Sequence, residues 1–257
     1  MYNKDKHHHN AQEQLENIVY GRNSVLELLK VGKRSVNKLM VAQTARGTVI
    51  TEIVSLAKQK GIAIHNVPPE KLDRFSEHSQ GIAAEVSPME YTELEDLIIK
   101  VKQLPKPLLM ILDGIEDPHN LGAIIRNCVT FGADGVIIPK WRAVGVNGTV
   151  SKASAGAIEH IAISKVANIN QTIDSLKKNN FWIAGAEKSG QVLLPKEEVA
   201  LPFPLAIIIG SEGFGLHSLT KKNCDFLISI QQRGAISSLN ASCAAAVVLY
   251  EISKKRR

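Results

Sequence analysis

Long apolar runs are missing from this chain of 257 residues. No stretch approaches the roughly 18 consecutive apolar residues needed to span a bilayer, and the first residues form no apolar segment of the secretory kind. Cysteine is scarce. Cys128, Cys224 and Cys243 are odd in number, far apart and without metal-ligand spacing, so neither a disulfide framework nor a thiolate metal site is expected. A reducing cytoplasmic compartment suits that usage. Nucleotide fingerprints are lacking too: Leu112-Asp113-Gly114-Ile115-Glu116 follows an apolar run but offers no G-x-G-x-x-G, which argues against a nicotinamide oxidoreductase, and no P-loop occurs. There is no internal repeat. What remains is ordinary globular composition, 44% hydrophobic and 22% charged, enough for one large domain or two smaller ones with a substantial core.

The formal net charge is +6 and is unevenly placed. Residues 17–85 hold ten basic and six acidic side chains, and residues 105–257 hold seventeen and twelve. The segment 86–104 is acidic, with two against four, and residues 1–16 carry two against three. A positive excess on both candidate domains, and not on the connector, suits a polyanion that touches both. Plain solubility charge is the alternative reading.

Residues 1–16 are polar and include His7-His8-His9; a disordered tail is expected there rather than a metal site. From Ile18 the apolar spacing predicts helix over 23–30, strand over 38–42, helix over 48–60, strand over 62–67, a short helix over 69–75 and strand over 82–86. This delimits a first α/β domain at 17–86. A connector follows at 87–107, acidic at first, with a helix over 93–103 and Pro105 and Pro107 at its end. The remainder, 108–257, alternates. Strand-like runs fall at 108–112, 135–138, 158–166, 181–186, 205–209 and 226–230, with helical patterns between most of them and a last helix over 239–253. Such alternation predicts a parallel sheet covered on both faces.

Three segments carry chemistry. Beyond the first strand of the second domain, Asp117-Pro118 reads as a helix N-cap with proline at the first position. Asn120 is a further cap candidate, and Arg126 lies on the same helix among apolar neighbours. The permanently charged, planar guanidinium of Arg126 suits a phosphate; a snorkelling side chain is its ordinary alternative. The second segment is Gly210-Ser211-Glu212-Gly213-Phe214-Gly215. Its small residues let a ligand approach the backbone, and Glu212 disfavours an anion, so a neutral or cationic ligand fits; alternatively Glu212 caps a helix starting near Leu216. The third runs from Gly234 to Ser242 into an alanine-rich helix, and Ser238, Asn240 and Ser242 place three polar groups at a helix N-terminus. One of them suffices for capping.

Taken together, Asn120 and Arg126, then Gly210-Ser211-Glu212-Gly213, then Ser238-Leu239-Asn240-Ala241-Ser242 resemble the signature of the SpoU (TrmH-type) family of the SPOUT superfamily, over residues 108–252. The stretch Ile18-Val19-Tyr20-Gly21-Arg22-Asn23-Ser24-Val25 resembles the start of the small substrate-binding domain of its RlmB-like branch. The resemblance implies S-adenosylmethionine-dependent methylation of an RNA ribose 2′-hydroxyl, a guanosine of 23S rRNA in that branch. It also implies a small ribosomal-protein-like α/β domain that binds RNA, and a parallel-sheet domain whose chain is threaded into a deep trefoil knot. A cytoplasmic homodimer would complete the active site. Catalytic residues implied are Asn120, Arg126, Glu212, Ser238 and Asn240. The cofactor would be held by Ala186, Glu187, Gly190, Ile209, Gly210, Gly213, Ile230, Ser238 and Leu239, with no metal. A tRNA ribose methyltransferase of the same family, a resistance-type rRNA methyltransferase, and an RNA-binding assembly factor without catalysis are the competing expectations. One departure stands out: Gln231-Gln232-Arg233 replaces a proline–methionine pair common among relatives.

Overall fold

The computed structural model describes residues 17–190, 192–194, 200–232 and 238–256. The expected tail at 1–16, with His7-His8-His9, and the stretch 233–237, with Arg233, lie outside the described residues. The chain forms two compact units. One takes in the described residues of Met1–Glu90 together with Val146–His160, the other Tyr91–Gly145 together with Ile161–Arg257.

In the first unit β1 (Ile18–Tyr20), β2 (Val36–Ala42), β3 (Ala63–Val67) and β4 (Ile82–Val86) form a sheet in the order β1-β4-β2-β3. β4 runs antiparallel to both β1 and β2, whereas β2 and β3 are parallel. A parallel pair needs a crossover, and the helix Thr48–Gln59 supplies it. That helix, α2, follows α1 (Arg22–Val31) and precedes the short α3 (Pro69–Asp73). Ile50, Ile53 and Ala57 recur at helical spacing on α2 and are buried with Val25, Leu28 and Leu29 of α1. α1 stops at Gly32, whose left-handed φ of 67° lets its N–H return to the Leu28 carbonyl.

The second unit begins with α4 (Leu94–Val101). Its Leu97, Ile98 and Val101 are buried in the apolar core of the second sheet, so this part of the expected connector is structural cladding. The chain continues through β5 (Leu108–Asp113), α5 (Pro118–Phe131) and β6 (Gly135–Pro139). It then passes through α6 (Gly148–Ala153), which belongs to the first unit, to β7 (Ala162–Val166) and α7 (Ile169–Lys178). β8 (Trp182–Ala186), β9 (Val192–Leu194), β10 (Leu205–Gly210), α8 (Ser218–Asn223), β11 (Phe226–Ile230) and α9 (Ala241–Arg256) complete it. The sheet order is β7-β6-β5-β10-β8-β11-β9, and every adjacent pair is parallel, as the alternation predicts. β5 and β10 are buried along their whole length, which is why they read as unbroken apolar runs. Their register ends with Gly210 opposite Asp113, so the loops after both strands leave the sheet side by side.

The strand expected over 158–166 is corrected at its start: Ala157–Glu159 is a 3-10 turn and the strand begins at Ala162. The reason lies in the first unit. Ser24 Oγ donates to the Ser151 carbonyl at 2.9 Å, Tyr20 Oη meets Thr149 Oγ1 at 3.0 Å, and Arg34 pairs with Glu159 at 3.5 Å. Asn147 caps α6 by accepting the Val150 N–H. Gly148 packs so closely on β1 that a Cβ there would overlap the Ile18 carbonyl. The sequence of α6 has little helical periodicity of its own; these tertiary contacts hold it. Among the described residues no helix is long and apolar enough to cross a membrane, and no group of three or more His, Cys, Asp or Glu side chains is placed to hold a metal ion.

Candidate active site

Ligands of parallel α/β sheets collect beyond the carboxyl ends of the strands, and here the ends of β8, β10 and β11 surround a cavity of about 320 Å³. The loop after β10 forms one wall. It closes on itself through Ser211 N–H to the Gly215 carbonyl (3.1 Å) and Gly215 N–H to the Ser211 carbonyl (3.0 Å). Gly213 and Gly215 adopt φ of 82° and 66°, a region that favours glycine. Gly210 is squeezed further: a Cβ there would overlap the backbone of Gly215 and Leu216. Of the cofactor residues expected from sequence, Ala186 and Glu187, Ile209, Gly210 and Gly213, Ile230, Ser238 and Leu239 all line this cavity. Gly190 does not. Its carbonyl accepts from Ser229 Oγ at 2.9 Å and a Cβ would overlap the Ile228 backbone, so it permits the turn after β8 to pack on β11.

Beside the cavity the three chemistry-bearing segments meet. Asp117 is the N-cap of α5, its Oδ1 accepting the His119 N–H at 3.0 Å, which leaves the buried Asn120 free to look elsewhere. Asn120 Nδ2 donates to Glu212 Oε1 at 3.0 Å, and its Oδ1 accepts from Asn240 Nδ2 at 3.0 Å. Asn240 Nδ2 also hydrogen-bonds Glu212 Oε1, and the Ala241 N–H reaches the same oxygen at 3.4 Å. The amide orientation of Asn240 follows from the carboxylate being an acceptor only. Asn240 caps α9 as well, since its Oδ1 accepts from the Ser242 N–H (2.9 Å) and Ser242 Oγ (2.6 Å). Capping and tertiary bonding are therefore both met, by opposite ends of one amide. Glu212 is not a cap for a helix near Leu216: α8 starts at Ser218, and the Glu212 carboxylate sits at the N-terminus of α9, where the helix dipole favours an anion.

Arg126 stands apart. Six residues beyond Asn120 is about 240° around a helix, so it leaves the cluster's face. It is exposed and makes no hydrogen bond or ion pair among the described residues. Sequence reasoning missed a different pair. Asp113, 5% exposed at the end of β5, accepts both the His217 backbone N–H at 3.0 Å and His217 Nδ1 at 2.9 Å. This fastens the end of the β10 loop to the end of β5. A second cavity of about 620 Å³ opens here, walled by Gly114, Glu116, Asp117, Asn120, Arg142 and His217, and it shares Ser211, Glu212 and Phe214 with the first.

The first cavity suits S-adenosylmethionine. Ile209, Ile228, Ile230 and Leu239 offer apolar surface for an adenine ring, and Glu212, whose partners are uncharged, offers negative charge to a sulfonium; Glu187 also lines the cavity and is paired with Lys221 at 3.6 Å. Its volume falls in the range of small-molecule sites, about 300–1,000 Å³. Comparison with known proteins agrees. The model of the SpoU rRNA Methylase family matches residues 107–250, and the model for RNA 2′-O ribose methyltransferase substrate binding matches residues 18–92. The chain belongs to the SpoU methylase family. It is an RNA methyltransferase whose cofactor is S-adenosylmethionine. The TrmH-family protein YacO of Bacillus subtilis is 41% identical over 95% of this chain and 97% of its own length. A TrmH-family protein of Staphylococcus saprophyticus is 42% identical over 94% and 96%. The fold is shared with the SpoU methyltransferase AviRb of Streptomyces viridochromogenes in its complex with AdoMet, at 21% identity and a TM-score of 0.79 over 99% of this chain and 94% of that one.

Proposed function

We propose that this methyltransferase modifies the ribose 2′-oxygen of a guanosine in 23S rRNA, acting as a homodimer in the cytoplasm. The observation that carries the reading is the convergence of Asn120, Glu212 and Asn240, from three separate segments, on one hydrogen-bonded cluster at the rim of the cofactor cavity. The substrate-binding family match over residues 18–92 favours the rRNA branch over the simplest tRNA enzymes, which lack that domain. Residues 17–86 then serve as the RNA-binding domain and the parallel-sheet unit as the catalytic one. Threading of the chain after β10 into a trefoil knot belongs to the same reading.

S-adenosylmethionine supplies an electrophilic methyl group. The work of the chain is to hold and align what receives it, an effect that accounts for several orders of magnitude in rate when geometry is fixed. Ala186, Glu187, Ile209, Gly210, Gly213, Ile230, Ser238 and Leu239 hold the cofactor. Glu212, Asn120 and Asn240 fix the wall against which the ribose is placed, and Ser238 presents a hydroxyl to it. Arg126 grips a backbone phosphate next to the reacting hydroxyl. A guanidinium keeps its proton, so the role of Arg126 is electrostatic and not that of a base. A position outside both cavities suits a group that meets RNA, or a partner subunit's site, from solvent. Exposed Val247 and Tyr250 on α9 give the apolar surface that a second copy would cover.

The test is nucleoside mass spectrometry on unmodified 23S rRNA and on bulk tRNA, each incubated with the protein and S-adenosylmethionine, alongside the solution mass from light scattering. A gain of 2′-O-methylguanosine in 23S rRNA alone, from a particle of two 28.0 kDa chains, is the expected result. Methylation of tRNA alone, or a monomer with full activity, would overturn the corresponding part of the reading.

A further inference from the structure

We propose that the second cavity is a guanine-reading subsite, in which the ring of Phe214 stacks on the base and the Glu116 carboxylate accepts from its Watson–Crick edge. This rests on the ribose-methylation reading above and adds to it the residues that select the nucleotide.

Phe214 is 95% exposed, more than any other large apolar side chain among the described residues. It lies in the tight loop closed by Ser211 and Gly215, on the wall common to the two cavities, and has no ring partner among the described residues. Exposed phenyl surface is unfavourable in water, and nothing in the loop's own hydrogen bonding requires a ring there. Single-stranded nucleotides are held by stacking on such rings. A base resting on Phe214 would keep its ribose near the boundary between the cofactor cavity and the second cavity.

The polar lining indicates which base. Three carboxylates line the second cavity: Glu116, Asp117 and Glu212. Asp117 is committed to capping α5, and Glu212 is committed to Asn120, Asn240 and Ala241. Glu116 alone of the three is exposed with no hydrogen bond or ion pair among the described residues. An uncommitted carboxylate repels phosphate, and its two oxygens are acceptors only. They match two adjacent donors. Guanine has such a pair, N1–H and the N2 amino group. Adenine, cytosine and uracil each set at least one acceptor against the carboxylate. Arg142 is also exposed and without a partner among the described residues, and its backbone is held at φ 53°, uncommon outside glycine. It offers the phosphate of that nucleotide a cation on the rim of the same cavity.

The experiment uses the full chain with S-adenosylmethionine and a 23S rRNA fragment whose mapped target position is guanosine, inosine or adenosine. The wild type should prefer guanosine over inosine and adenosine by roughly ten- to a hundredfold, the discrimination expected of a bidentate contact. In Glu116→Gln the preference of guanosine over inosine should fall to within about threefold. Phe214→Ala should raise KM for RNA roughly tenfold or more, as loss of one stacked base does, with S-adenosylmethionine affinity within about twofold; Phe214→Trp should restore KM. Several results would overturn the proposal: a methylated pyrimidine, an undiminished preference in Glu116→Gln, an unchanged KM in Phe214→Ala, or a loss of cofactor affinity or of dimer mass that accompanies the rise in KM. Failure of the broader reading looks different: the wild type would transfer no methyl group to any RNA, and the subsite would fall with it.

Discussion

Replacing Arg34 by methionine tests how the segment Val146–His160 is held in the first unit. The Arg34 and Glu159 side chains are 7% and 2% exposed and lie 3.5 Å apart, and Arg34 also donates to the Ser87 carbonyl through Nε (3.0 Å) and Nη2 (2.6 Å). Removing one partner of a buried pair leaves the other uncompensated, which costs about 3–5 kcal/mol. Burial pushes the Glu159 carboxyl above its ordinary 4.5, and Arg34 pulls it only part of the way back. In the folded protein Glu159 therefore keeps its proton to higher pH than in the unfolded chain. That contribution to stability is fully present below pH 4.5 and is lost as pH rises through the folded value. Without Arg34 the folded value rises further, so the cost of the substitution should be largest near pH 8. It should shrink toward pH 5, by at most about 1.4 kcal/mol per pH unit. The assay is urea unfolding at both pH values, with hydrogen exchange of the β2 amides reporting on this unit. A loss of about 4 kcal/mol with a slope of about 2 kcal/mol per molar moves the midpoint by about 2 M. Equal shifts at pH 5 and pH 8 would refute the reasoning. So would failure of a second change, Glu159→Gln, to recover stability at pH 8 in the methionine background.

Three further outcomes follow from the site. Arg126→Ala should leave S-adenosylmethionine binding intact in calorimetry while turnover falls about 10²-fold or more; near-normal turnover would remove Arg126 from the mechanism. Gly210→Ala forces a methyl group into the Gly215 and Leu216 backbone, which cannot swing aside as a side chain would. Cofactor affinity should drop by about a hundredfold or more, and unchanged affinity would show that the approach is not needed. Asn240→Ala should cost about 1 kcal/mol for the lost cap and lower turnover with it. Asn240→Asp keeps the cap but sets a carboxylate against Glu212, so stability should recover more than turnover, as thermal melts and initial rates would show.

Apolar periodicity was legible wherever an element's burial is its own. The strands at 82–86 and 226–230 coincide with β4 and β11, and the helix expected over 48–60 is α2 to within one residue. It misled where a neighbour decides. Ile158, Ile161, Ile163 and Val166 make 158–166 apolar enough to read as one strand, yet Glu159 and His160 are drawn to Arg34 and Glu27 of the first unit and the strand waits until Ala162. β9, three residues long, and α6, six residues with a glycine and two hydroxyl side chains, were too short to leave a pattern. The cofactor loops were legible through family motifs and not through spacing. The bonds between Asp113 and His217 join residues 104 apart and have no signal in sequence; they exist because β10 is laid beside β5 with Gly210 opposite Asp113.

That register also divides the labour among the polar groups of the site. Asp113 spends its hydrogen bonds on the backbone and ring of His217, and Asn120, Asn240 and one oxygen of Glu212 spend theirs on each other and on the N-terminus of α9. The free energy of ordering them is met when the chain folds, so they stand preorganised when a substrate arrives. Arg126, Arg142, Glu116 and Phe214 keep their interacting surfaces uncommitted among the described residues, and any desolvation they undergo falls on the RNA-binding step. The two sets should separate under substitution. Changes to the first lower stability and turnover together, because the same bonds hold the loops and shape the wall. Changes to the second leave the folded protein as stable as before and act on RNA affinity, nucleotide choice or rate. A variant of Glu116 or Arg142 that lowered the melting temperature as much as Asn240→Ala would show that these groups belong to the scaffold, and the division would fail.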